Sequence, residues 1–321
     1  MMVSVVMPVY NGEAFLHEAI DSILCQNYCD YEFIIIDDGS NDGTEQIIRS
    51  YTDKRIIYLR NDVNLGVALS LNRGIDQSKG KYIARMDADD KARPERLGIQ
   101  VEYMECHPKI DVLATSSKSF NRSGVLFEGH TSTDEEVLKL DNLFSCGLCH
   151  PTVMMRKETL DRLHLRYDDT FDKVEDYELW SRMISLGCMI KSIDIILLDH
   201  RLHENQVTTV YSHDMIEKLD RIHKRTLDSI GIDYTTEELA SLCAYGTLGR
   251  TDRIVNYKVL CGLLQKILHS GKYDPVRMKK YCKGFAYQVL KDKTISITDK
   301  ARFAIQSEFL SFFDLARCFI K

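Results

Sequence analysis

Apolar and polar positions follow two alternating rhythms along the first part of the chain. Val3-Ser4-Val5-Val6-Met7-Pro8 is a β-branched run, too dense in apolar residues for a strand with one wet face. Between Gly12 and Gln26, Phe15, Leu16, Ala19, Ile20, Ile23 and Leu24 recur at helical spacing. Tyr31 to Ile36 then reads as a strand, Gly43 to Tyr51 as a helix capped by Asp42 or Thr44, and Ile56 to Leu59 as a strand. Asn64 to Ser78 carries Leu65, Ala68, Leu69, Leu71 and Ile75 on one helical stripe. Lys81 to Met86 is a further strand, Pro94 opens a helix to about Cys106, and Ile110 to Ser116 is another strand. Strands apolar on both faces and separated by helices predict an α/β fold, with a Rossmann-like, mostly parallel central sheet flanked by helices. From Phe120 to Leu198 the pattern is mixed, and from about Ser212 onward it reads as helical.

In open parallel sheets, ligands bind beyond the carboxyl ends of the strands. The residues there are Pro8-Val9-Tyr10-Asn11, Asp37-Asp38 and Asp87-Ala88-Asp89-Asp90, which bring five carboxylates toward one crevice. A single aspartate at a strand end is an ordinary turn or capping residue. Asp87, Asp89 and Asp90 together are harder to explain that way, because they cost desolvation and mutual repulsion that a cation offsets. Asp87 and Asp89, two apart in extended chain, project to the same side. A hard divalent ion, Mn²⁺ or Mg²⁺, held by one or two carboxylates and substrate phosphates is the expected occupant. The chain lacks G-x-G-x-x-G after its first strand, which disfavours a dehydrogenase, and it also lacks G-x-x-x-x-G-K-[ST].

Composition narrows the partners. The 321 residues suit one large domain plus an appendage, and 44% hydrophobic with 28% charged residues marks an ordinary globular protein. A net charge of −6 gives no electrostatic call for nucleic acid. No stretch approaches the ~20 apolar residues of a membrane span. The opening MMVSVVMPVY has neither the basic region nor the cleavage site of a signal peptide, so a cytoplasmic protein is expected. The 10 cysteines are scattered, as reduced thiols are. Cys146-Gly147-Leu148-Cys149-His150 matches a haem-attachment pattern. That chemistry needs export, and no second ligand pair at zinc spacing accompanies it, so the match reads as accidental.

Seven segments jointly resemble family 2 glycosyltransferases of GT-A fold, over roughly residues 3–210: VSVVMPVYNG, IIIDDGSNDGT, NLGVALSLNRGI, GKYIARMDADD followed by Pro94, CHPTVMMRK, VEDYELWSRM and HRLHENQV. They are similar to bacterial enzymes that add N-acetylglucosamine or a related hexose in β-1,3 linkage to surface glycans. The resemblance implies a catalytic domain over 1–210, with nucleotide-sugar binding over about 1–116 and the acceptor part over about 117–210, followed by a helical C-terminal subdomain over 211–321. It implies inverting, metal-assisted transfer of a hexose or N-acetylhexosamine from a UDP-sugar to a hydroxyl of a glycan or lipid-linked glycan, of lipopolysaccharide, O-antigen or capsule type. The competing readings are a nucleotide-sugar-binding protein without transfer and a transferase with a non-UDP donor. By the same resemblance Pro8, Tyr10, Asp38 and Asn64 serve the nucleotide, Asp38 on the uracil edge. Arg85 and Arg201 belong near the donor, Asp87 by the ribose or sugar, Asp89 on the metal, and His203 by the metal or diphosphate.

Inverting transfer needs a base for the acceptor hydroxyl. Glu175-Asp176 precedes an apolar stripe of Tyr177, Leu179, Trp180, Met183 and Ile184, so both acids sit at a helix start, where the helix dipole alone favours them. The resemblance makes Asp176 the base and puts Glu175 on sugar hydroxyls. In the tail, Lys272, Arg277, Lys279, Lys280, Lys283, Lys291 and Lys293 face only Asp274 and Asp292, and an apolar, phenylalanine-rich end from Phe303 to Ile320 follows. That suits either peripheral contact with the inner face of an anionic membrane, or a subdomain packed on the catalytic domain, or a homodimer contact.

Overall fold

The computed structural model describes residues 1–203, 212–247, 253 and 255–291. They fall into two compact units, one from 1–135 and 146–210, the other from 136–145 and 211 onward.

The first unit opens with β1 (Val3–Val9), α1 (Leu16–Leu24), β2 (Tyr31–Asp37), α2 (Thr44–Ser50), β3 (Ile56–Arg60), α3 (Val67–Gln77) and β4 (Tyr82–Arg85). β1 lies between β2 and β4, and β3 pairs with β2, all parallel, with Val5 opposite both Phe33 and Ala84. Every residue of β1 and β2 is buried, which is why both faces read as apolar. One face packs Val5, Met7, Phe33 and Ile35 against Leu16, Ile20 and Ile23 of α1. On the other, α3 lies so close that a Cβ on Gly74 would stand 2.4 Å from Val6 Cγ1 and 2.8 Å from Ile36 Cδ1. Gly74→Ala is therefore expected to destabilise the fold by about 1–3 kcal/mol through overpacking. The helix-propensity gain of about 1 kcal/mol offsets only part of it. A lowered urea midpoint is the readout.

Beyond β4 the sheet is mixed. The elements are β5 (Lys91–Ala92), α4 (Arg96–Cys106), β6 (Val112–Asn121), β7 (Gly124–Gly129), α5 (Glu135–Asp141), β8 (Met154–Arg156), α6 (Lys157–Arg162), α7 (Glu175–Ser185) and β9 (Ile190–Arg201). β8 pairs antiparallel with β4 and β6, β6 runs parallel to β9, and β5 is antiparallel to β9. The strand order is β3-β2-β1-β4-β8-β6-β9-β5, with β7 hairpinned on β6. The sequence pattern anticipates neither β5 nor β8, because two or three residues carry no period, nor β7, whose Val125, Leu126 and Phe127 are exposed.

The second unit is helical: α8 (His213–Ile230), α9 (Thr236–Gly246), α10 (Tyr257–His269) and α11 (Pro275–Lys291). Ser212 caps α8, which ends at Gly231 in left-handed conformation, and Thr235 with Glu238 forms a capping box on α9. Leu140, Leu143 and Phe144 share a core with Leu227, Leu242, Leu260 and Leu264. The residues Glu204–Val207 of the HRLHENQV segment, Asp292, Lys293 and the apolar end Phe303–Ile320 lie outside the described residues. Among the described residues, no helix is long and apolar enough to cross a membrane.

Candidate active site

The loops leaving β1 and β2 are stitched to each other. Asn11, with φ 50°, donates its backbone N–H to Ser40 Oγ at 2.9 Å, and Gly12 N donates to Thr44 Oγ1 at 2.9 Å. Asp42 Oδ1 accepts from Thr44 N at 3.0 Å at the start of α2. Pro8 is buried in β1, whereas Tyr10 beside it is 50% exposed and Asn64 is exposed. Asp38 is buried and turned toward the loop after β3. It accepts from Asn61 Nδ2 at 2.6 Å, Leu65 N at 2.9 Å and Gly66 N at 2.8 Å. Its carboxylate thereby shapes that end of the crevice through its own chain.

β4 delivers Arg85 and the acidic loop. Arg85 is 5% exposed, its Nη1 pairs with Asp87, and its buried Nε has no hydrogen-bond partner among the described residues. The fully buried Arg96 donates from Nη2 to the Arg85 carbonyl at 2.7 Å and from Nε to Gln100 at 3.1 Å, which fixes the end of the strand. Asp90, also fully buried, accepts from Arg201 N at 2.8 Å and bonds His200 Nδ1 at 3.1 Å. His203 Nε2 stands 2.9 Å from Asp89 Oδ2.

Carboxylate oxygens of Asp87, Asp89 and Asp90 lie within 4.8 Å of one another. Burial, together with the Asp89 and Asp90 charges and against the pull of Arg85, pushes Asp87 up to about 6. Burial likewise raises Asp90, opposed by His200. Crowded carboxylates that resist ionising together fit a hard divalent cation. Asp90 is engaged by His200 and the β9 backbone and Asp87 by Arg85, while Asp89 lies beside the imidazole of His203, a pair of donors that could hold such an ion.

Arg201 stands behind this loop. It is 8% exposed, and its guanidinium carbon lies 4.5 Å from the ring centre of Phe15 and 4.6 Å from that of Phe120. Nε donates to the Asp89 carbonyl at 2.7 Å and Nη2 to Glu18 at 3.1 Å. A guanidinium held this way supports Asp89 from its backbone. Arg201→Lys, which cannot stack and bond in the same plane, is expected to lower kcat/KM about ten- to a hundredfold by misplacing Asp89. Metal-dependent UDP release measures it.

Glu175 and Asp176 begin α7. Glu175 is 7% exposed, and its Oε2 has no hydrogen-bond partner among the described residues. Burial and the Asp176 charge push Glu175 up to about 7. Burial raises Asp176 too, against the donors Tyr177 N and Cys146 and the Arg85 charge. Asp176 Oδ1 accepts from Tyr177 N at 2.7 Å, and Oδ2 lies 3.5 Å from Cys146 Sγ. His150 Nε2 meets Tyr167 Oη at 2.8 Å, with burial and then Arg85 holding His150 well below its ordinary range. The charge of Arg85 thus bears on Asp87, Glu175, Asp176, Tyr167 and His150 alike. Sequence reasoning missed Arg96, His200, Tyr167 and Cys146. Of these Cys146 carried a signal in the C-x-x-C-H pattern, whose two cysteines are free thiols, and His200 in opening the HRLHENQV segment.

The model of glycosyl transferase family 2 matches residues 4–163. An uncharacterized glycosyltransferase of Haemophilus influenzae is 31% identical over 296 residues, covering 85% of this chain and 91% of that protein. The Escherichia coli UDP-Glc:alpha-D-GlcNAc-diphosphoundecaprenol beta-1,3-glucosyltransferase WfaP is 28% identical over 231 residues, covering 72% of this chain and 87% of its own. Among solved structures, S. aureus TarS 1-349 in complex with UDP-GlcNAc superposes with a TM-score of 0.61 at 20% identity, over 87% of this chain and 83% of that one. That likeness is one of fold, GT-A.

Proposed function

The chain belongs to glycosyltransferase family 2, and from that premise we propose that it moves a hexose or N-acetylhexosamine from a UDP-sugar to a glycan hydroxyl with inversion. The observation that carries the reading is the meeting of two acidic groups around Arg85: Asp87 is paired with it, and Glu175 and Asp176 lie within its field. The donor lies along the ends of β1, β2 and β4, with Pro8, Tyr10, Asp38 and Asn64 at the nucleoside and Asp87 and Arg85 toward the ribose and sugar. Asp89 and His203 would hold Mn²⁺ or Mg²⁺, which would supply positive charge to the departing diphosphate. Asp176 takes the proton of the attacking hydroxyl as the new bond forms, and Glu175 contacts sugar hydroxyls. The nucleotide-sugar part falls within about 1–116 and the acceptor part within about 117–210.

The acceptor is a surface-glycan precursor, and its reducing end is lipid-linked, as in the name of the WfaP relative. On this reading the enzyme acts in the cytoplasm, at the inner face of the membrane. A donor screen tests the reading: nucleotide release is measured with UDP-Glc, UDP-Gal, UDP-GlcNAc, UDP-GalNAc, a GDP-sugar and a CMP-sugar, each with Mn²⁺, Mg²⁺ or EDTA. Metal-dependent turnover of one or two UDP-sugars is expected. Turnover confined to a GDP- or CMP-linked donor overturns the UDP assignment.

A further inference from the structure

Asp176 is held by two donors of unequal strength. Oδ1 accepts a backbone N–H from Tyr177 at 2.7 Å, while Oδ2 faces the Cys146 thiol at 3.5 Å. The same thiol lies 3.4 Å from the Leu148 carbonyl, so its one proton is shared between a carboxylate and a backbone oxygen. Cys146 is half-buried, its thiol pushed well above the ordinary range chiefly by burial and then by the Asp176 charge, so it is a neutral S–H donor. The other charged or titratable groups that bear on Asp176 are Glu175 on its own helix, Arg85 on β4 and the Tyr167 hydroxyl.

A general base needs a fixed orientation and a high affinity for the proton, and these demands conflict. Strong hydrogen bonds orient a carboxylate but stabilise its charged form and weaken it as a base. A thiol is a weak donor, so it orients at little cost in basicity. We propose that Cys146 is a positioning residue for Asp176, a weak donor that fixes the Oδ2 edge of the base while leaving it basic enough to take the acceptor proton. The inference rests on the assignment of Asp176 as base. It gives the cysteine of the C-x-x-C-H segment a role in group transfer with no metal, haem or disulfide.

The test is the pH dependence of kcat/KM for UDP release by Cys146→Ser and Cys146→Ala, with the helical circular dichroism and melting temperature of each variant checked beside the wild type. The base acts ionised, so activity rises with pH through its titration. A serine hydroxyl is the stronger donor, stabilises the carboxylate, and is expected to move the acidic limb to lower pH by about half a unit or more, with a lower plateau. Alanine removes the donor and is expected to move the limb to higher pH. A packing role alone lowers the plateau of both variants and moves neither limb. Unmoved limbs, or limbs shifted in the same direction, overturn the proposal. Asp176→Asn measured alongside separates the two readings: if it retains turnover, the base assignment fails first, whatever the cysteine variants do. If Cys146→Ala does not fold, the serine variant alone decides, through the sign of its shift.

Discussion

Asp176→Asn is expected to lower transfer by about 10²–10⁴-fold, the usual worth of a positioned general base, while UDP-sugar affinity stays within a few-fold. The substitution keeps the shape of the side chain and can still accept from Tyr177 N, so the start of α7 is preserved. What it removes is the proton acceptor. Calorimetric titration with the UDP-sugar and UDP release under saturating donor separate the two effects. The wild type carries a matching pH signature. Burial raises both carboxyls at this helix start, Glu175 to about 7. A base must be ionised, so turnover is expected to rise with pH and to be lost at a pH above the ordinary carboxylate value of about 4. The limb belongs to the coupled pair rather than to either acid alone.

Asp89→Ala carries the second large effect. The Asp89 carboxylate pairs with the His203 imidazole, and Arg201 bonds its carbonyl. Alanine keeps that carbonyl and removes only the side-chain donor. Loss of metal-dependent turnover by about 10²–10³-fold is expected, since charge stabilisation of the leaving diphosphate is lost with it. The variant's melting temperature is expected to stop responding to Mn²⁺ plus UDP, a combination that raises that of the wild type by mass action. A Mn²⁺-plus-UDP shift of full size in Asp89→Ala contradicts the metal role.

The strand ends that hold the acidic groups are legible in the sequence because β1, β2 and β4 are buried on both faces and so appear as mostly apolar runs, broken by Ser4, by Glu32 and by the terminal Asp37 and Arg85. The punctuation at Asp37-Asp38 and Asp87–Asp90 stands out against those runs, since clustered charge is costly to bury. What lies between those ends was not legible. Arg96 reads as a helix residue, yet it is fully buried beneath the Arg85 carbonyl. Cys146 lies 30 positions from Asp176 and on no shared period. His200 bonds Asp90 across 110 positions. Such contacts depend on how β8, β6 and β9 thread together, and strands as short as β8 and β5 leave no rhythm to read. The segment 136–145 is a related case: Leu140 and Phe144 show that an apolar face exists but not which core receives it.

Direct displacement at the anomeric carbon is the claim on which every role above depends, and the stereochemistry of the first product tests it most directly. Slow hydrolysis of the preferred α-linked UDP-sugar, with Mn²⁺ and water as the acceptor, can be followed by proton NMR before the free sugar equilibrates. The β-anomer appearing first is the predicted result. The α-anomer appearing first contradicts the account.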